Sequence, residues 1–98
     1  MIILNEKGAS QIALEHLTKL EKEIGEPLGL ANSETLEKDF GWVFFYNSKD
    51  YIETGNFRSM LAGNAPFIVD RNSGEVHVTG TAKPVEDYIT DYENQCRV

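Results

Sequence analysis

The sequence is poor in the residues from which catalytic and metal sites are built. Its single cysteine, Cys96, lies two residues from the end, which excludes an internal disulfide framework and a multi-cysteine zinc site. Its two histidines, His16 and His77, belong to no H-x-x-x-H pair or carboxylate facial set, so no metal is expected. Gly63 and Gly74 stand alone, with no G-x-G-x-x-G or G-K-[ST] motif, so no phosphate-cradling loop or bound cofactor is expected. Nine Lys and Arg face sixteen Asp and Glu, a formal net charge of −7. That balance disfavours nucleic acid and anionic membranes, which need cationic patches, and favours a basic partner. No stretch approaches the roughly 20 apolar residues of a membrane span. The opening Met1-Ile2-Ile3-Leu4 lacks the basic region of a signal peptide. A cytoplasmic, reduced setting is therefore expected.

What is present suits a small soluble core. Ninety-eight residues with 41% hydrophobic and 26% charged content suggest one domain over 1–98. Ala9, Ala13, Leu17, Leu20 and Ile24 fall at helical spacing. Asn5 is positioned as N-cap and Gly25 as stop, although Gly8 suggests a start nearer Ser10. Leu28 and Leu30 in Glu26–Phe40 suggest an exposed edge strand with a mobile connection. Gly41–Tyr46, unbroken and aromatic, predicts a central strand buried on both faces. Tyr51–Gly55 extends that strand or forms a loop, and Asn56 caps a short turn holding Phe57, Met60 and Leu61. Phe67–Val69 and Glu75–Thr79 flank a turn in which Gly74 needs positive φ. Pro84 then opens a helix with Glu86 and Asp87 in its first turn and an apolar stripe of Val85, Tyr88, Ile89, Tyr92 and Cys96. The expected fold is α+β: an antiparallel sheet of about four strands packed by an N-terminal and a C-terminal helix, in the order α-β-β-β-β-α.

Catalytic patterns are weak. His77 with Asp70 across the hairpin would imitate a base and its orienter in a small hydrolase, but a surface imidazole on a strand explains His77 more simply. The run Trp42, Phe44, Phe45, Tyr46 lacks the interleaved cations of a base-stacking platform and reads as core. Above this background stand the acids Glu34, Glu37 and Asp39, then Asp50 and Glu53 around Tyr51. Acidic surface with an aromatic anchor suits steering and holding of a basic protein.

Several stretches in order carry a resemblance: Gly41-Trp-Val-Phe44, Tyr51-Ile-Glu-Thr-Gly55, Leu61-Ala-Gly-Asn-Ala-Pro-Phe-Ile-Val-Asp70, Ser73-Gly-Glu-Val-His77 and Gly80-Thr-Ala-Lys-Pro84. Over roughly residues 9 to 93 the chain resembles the YrhB-like family of bacterial immunity proteins, immunity protein family thirty-five. Glu26–Phe40 carries no clear part of that pattern. The resemblance implies a non-catalytic α+β protein that binds and neutralises a cognate toxin of a polymorphic toxin system. Its matching residues Trp42, Gly55, Gly63, Asn64, Pro66 and Gly74 look structural, which leaves binding to the exposed segments. A general protein-binding, chaperone-like solubilising module is the alternative, and self-association is compatible with either.

Overall fold

A computed structural model describes residues 4–61 and 64–96, with the side chain of Cys96 and the whole of Gly63 outside the described residues. Helix α1 spans Glu6–Ile24. It starts earlier than Gly8 suggested because the Asn5 side chain accepts a hydrogen bond from the Gly8 N–H at 2.8 Å and so satisfies an orphan donor of the first turn. Gly25 closes it, its N–H donating to the Glu21 carbonyl at 2.8 Å. Ala9, Ala13 and Leu17 are buried, whereas Ile24, counted in the apolar stripe, is 44% exposed at the helix end.

Among the described residues six short strands follow: β1 (Leu28–Leu30), β2 (Leu36–Lys38), β3 (Gly41–Phe44), β4 (Tyr46–Ser48), β5 (Phe67–Asp70) and β6 (Val76–Val78). Helix α2 (Lys49–Thr54) lies between β4 and β5, and α3 (Val85–Cys96) ends the fold. The architecture is α+β, as expected. It holds two antiparallel sheets rather than one, a pair β1-β4 and a four-stranded sheet β2-β3-β5-β6.

The four-stranded sheet explains the unbroken apolar run. Trp42 pairs with Val69, Val43 with Ile68 and Phe44 with Phe67. Side chains alternate across a strand, so Trp42, Phe44, Phe67 and Val69 join Ala9, Ala13 and Leu17 of α1 on one face. Val43 and Ile68 join Phe40, Ile89 and Tyr92 on the other, beneath α3. All four residues of β3 are buried because both faces are covered.

Several expectations need correction. The edges of the main sheet are β2 and β6; Leu28 and Leu30 are buried, pairing with Ser48 and Tyr46 in the small sheet. The strand expected over Gly41–Tyr46 breaks at Phe45, and its continuation changes sheet. Tyr51–Gly55 neither extends the strand nor forms a loop. Ser48 caps α2 there, its hydroxyl accepting from the Tyr51 N–H at 3.1 Å. In β6 the burial is unlike the sequence pattern. Val78 is 61% exposed at the open edge, while the His77 ring lies 5.0 Å from that of Tyr92 on α3.

The β5–β6 turn forms as anticipated: Gly74 has φ 73° and the Asp70 carboxylate accepts from the N–H groups of Asn72 and Ser73 at 2.8 and 3.0 Å. Arg71 from this turn lies over the Trp42 ring at 4.3 Å. It donates to Glu37 Oε2 at 3.1 Å and to the Lys38 and Asp39 carbonyls at 2.9 and 3.3 Å. One side chain thus ties the β2–β3 connection to the core.

His16 introduces a pH dependence. Its ring lies 4.6 Å from Phe67, and burial, then Lys19, holds its pKa below the ordinary value. A base whose folded pKa is depressed takes up its proton first in the unfolded chain. Stability is therefore complete above the ordinary histidine range, about pH 6.5, and falls as the pH drops through it. His16→Gln should narrow the difference in Tm between pH 7.5 and 5.5, read by circular dichroism; an unchanged difference would exclude His16 as its source.

Candidate protein-binding surface

The candidate binding surface is built on Lys49–Leu61, with Asn64 beside it, where local polar bonding holds α2 and the turn that follows. The Ser48 hydroxyl caps α2 and donates to the Ser59 carbonyl at 2.6 Å. Asn56 caps a 3₁₀ turn over Phe57–Ser59, accepting from the Arg58 N–H at 3.2 Å. The Asp50 carboxylate accepts from the Ser59 hydroxyl and, at 3.3 Å, from the Asn56 amide. Asn47 Oδ1 accepts from the Leu61 N–H at 2.7 Å, and the Asn64 amide donates to the Tyr46 carbonyl. This bonding ties both ends of the segment to β4.

The segment displays apolar side chains instead of burying them. Phe57 is 77% exposed, Met60 47% and Ile52 36%. The Phe57 ring lies 6.0 Å from that of Tyr51. Tyr51, Ile52 and Met60 in turn line a groove of about 630 Å³, whose walls include Leu30, Glu34 and Asn64. A rigid aromatic and aliphatic patch beside a concavity is what protein interfaces use as an anchor. Sequence reading missed Phe57, because a cap followed by three apolar residues looks the same whether they face in or out.

The six residues expected to bind a partner fall into three groups. Glu34 and Tyr51 line the groove. Asp50 and Glu53 line a second cleft with Arg58 and Glu26, where Asp50 is engaged in the loop and Glu53 pairs with Lys49 at 3.8 Å. Glu37 and Asp39 lie at the β2–β3 connection, where the Glu37 carboxylate and the Asp39 carbonyl take hydrogen bonds from Arg71.

The histidine dyad does not form. The Asp70 carboxylate accepts from the Tyr92 hydroxyl at 2.5 Å and from the turn. Burial pushes its pKa up, but these bonds outweigh burial and hold it below the ordinary carboxylate range. His77 Nε2 instead lies 3.3 Å from Glu75. Among the described residues no three His, Cys, Asp or Glu side chains gather as metal ligands, and no helix is long and apolar enough to cross a membrane.

The family model for immunity protein 35 matches residues 7–93. An uncharacterized protein of Escherichia coli strain K12, YrhB, is 55% identical over 53 residues. That match covers 54% of this chain and 56% of the relative, so it spans about half the length of each. No solved structure matches significantly. With nearly the whole chain matched, from the start of α1 to the last turns of α3, this protein belongs to the immunity protein 35 family.

Proposed function

We propose that the protein is a non-catalytic immunity protein that binds and neutralises a cognate toxin of a bacterial polymorphic toxin system, in the cytoplasm. The observation that carries the reading is Phe57, 77% exposed yet held by a hydrogen-bonded turn beside a groove. Single exposed apolar residues are common, but Phe57 stands with Tyr51, and Ile52 and Met60 of the same segment are exposed too, a grouping of the kind that marks interaction sites. In this reading Phe57 and Tyr51 anchor the partner, while Glu34, Glu37, Asp39, Asp50 and Glu53 raise its rate of encounter if it is basic.

The test is protection. Cells expressing a toxin domain encoded beside this gene should survive when wild-type protein is coexpressed. Phe57→Ala should weaken the complex about 30-fold or more, the effect of losing a hot-spot side chain, while its Tm stays close to wild type because the residue is exposed. Undiminished affinity in that variant would remove Phe57 from the interface. The exposed apolar patch also favours, as a second reading, a chaperone-like module. Suppression of aggregation of unrelated clients, without selective protection from one toxin, would establish that instead.

A further inference from the structure

We infer that the groove beside Phe57 receives an arginine side chain of the partner protein, an inference that rests on the binding reading above and names its chemistry. Charge is the first argument. Among the described residues Glu34 is the one charged residue in the groove wall, and no lysine or arginine lines it. Three of the other candidate acids are engaged: Glu53 with Lys49, Glu37 with Arg71, and Asp50 with Ser59 and Asn56. Among the described residues Glu34 has no such ion pair, so its carboxylate is available to a cation from outside.

The second argument is an internal precedent. Where this chain seats its own guanidinium, Arg71 lies over the Trp42 ring, pairs with Glu37 and donates to backbone carbonyls. The groove offers a comparable set of groups without the cation, with an aromatic ring in Tyr51, a carboxylate in Glu34 and amide oxygens in Asn32 and Asn64 among its lining. Asn64 spends its amide nitrogen on the Tyr46 carbonyl, and among the described residues nothing donates to its oxygen. A flat guanidinium with five donors uses a ring face, a carboxylate and several acceptors together, whereas a lysine ammonium uses them singly. An inserted leucine or phenylalanine would leave Glu34 and the amides unpaired and partly desolvated.

The free protein is sufficient for the test. Full-length chain is titrated with N-acetyl-arginine amide, with the lysine and leucine analogues as separate arms, and its amide and methyl NMR signals are followed. Saturable shifts are expected at Tyr51, Ile52, Met60 and Asn64, with Kd on the order of 1 mM, within reach for a probe of this size. Glu34→Gln should weaken this binding about twofold to fivefold, the upper part of the range of an exposed ion pair. The inference is overturned if the arginine probe gives no saturable shift at these residues by about 10 mM. It is equally overturned if the leucine or lysine probe binds as tightly, or if Glu34→Gln changes nothing. Protection separates the two readings. Failure of the wild-type protein to protect sinks the binding reading, whereas protection that survives Glu34→Lys unreduced sinks the arginine contact alone.

Discussion

Gly41→Ala should remove a large share of the protein's stability. Gly41 begins the central strand with φ 148°, a conformation that side chains other than hydrogen rarely adopt. A Cβ there would lie 2.1 Å from the Val69 carbonyl oxygen and 2.9 Å from the Arg71 nitrogen, both backbone atoms of the neighbouring strand and turn. Neither can step aside without opening the β3–β5 ladder or the 2.7 Å bond from the Arg71 N–H to the Phe40 carbonyl. Strained φ costs about 1–3 kcal/mol, and each backbone hydrogen bond lost adds about 1 kcal/mol. A loss of about 3–5 kcal/mol takes a large share of the 5–15 kcal/mol typical of folded domains. At about 4–8 °C per kcal/mol for a domain of this size, Tm should fall by more than about 12 °C. Gly55→Ala is the control, since its φ is also positive at 72° but nothing lies within 4 Å of a Cβ. It should cost about 1 kcal/mol. Thermal melts by circular dichroism decide the matter: equal losses at the two positions would mean that φ alone matters and that the close approach of β5 has been misplaced.

Trp42→Ala should cost about 3–5 kcal/mol, the usual range for emptying a large aromatic site in a core. Trp42 is fully buried between α1 and Val69, and its outer face carries the Arg71 guanidinium. Removing the ring leaves a cavity beneath a cation whose bonds hold the β2–β3 connection, so β2 should loosen with it. Trp42→Phe should cost less than Trp42→Ala. It keeps an aromatic face under Arg71 and removes an indole N–H that is buried without a hydrogen-bond partner among the described residues. As the sole tryptophan, Trp42 also reports on wild-type unfolding through its fluorescence. A Trp42→Ala protein that kept its Tm and lost only partner binding would place the residue at the interface instead.

Both results bear on how binding could diversify. The segment Lys49–Leu61 carries the exposed apolar side chains Ile52, Phe57 and Met60, and side-chain hydrogen bonds tie it to Ser48 and Asn47 of β4. Under the proposed function, substitutions at the exposed Phe57, Met60 or Glu34 should change what is bound without disturbing the Trp42 core. The exposed patch lies beside β1-β4, while Leu28, Leu30 and Tyr46 of that sheet share one buried core with Trp42.

The sequence by itself determined what depends on near neighbours. Asn5 and Gly25 mark α1, Gly74 shapes the β5–β6 turn, and the run from Gly41 declares a strand covered on both faces. Such features follow from a residue's own backbone preferences and from hydrogen bonds within a few positions, which local composition encodes. Only the tertiary structure decided the rest. It broke the apolar run at Phe45 and sent Tyr46–Ser48 to pair with Leu28–Leu30, because strand partners are chosen by long-range pairing. It left Val78 and Phe57 exposed and turned His77 toward Tyr92, because exposure depends on what packs above a residue. It divided six acidic and aromatic candidates into three groups, Glu34 with Tyr51, Asp50 with Glu53, and Glu37 with Asp39, because adjacency along a chain does not survive the change from one sheet to the other.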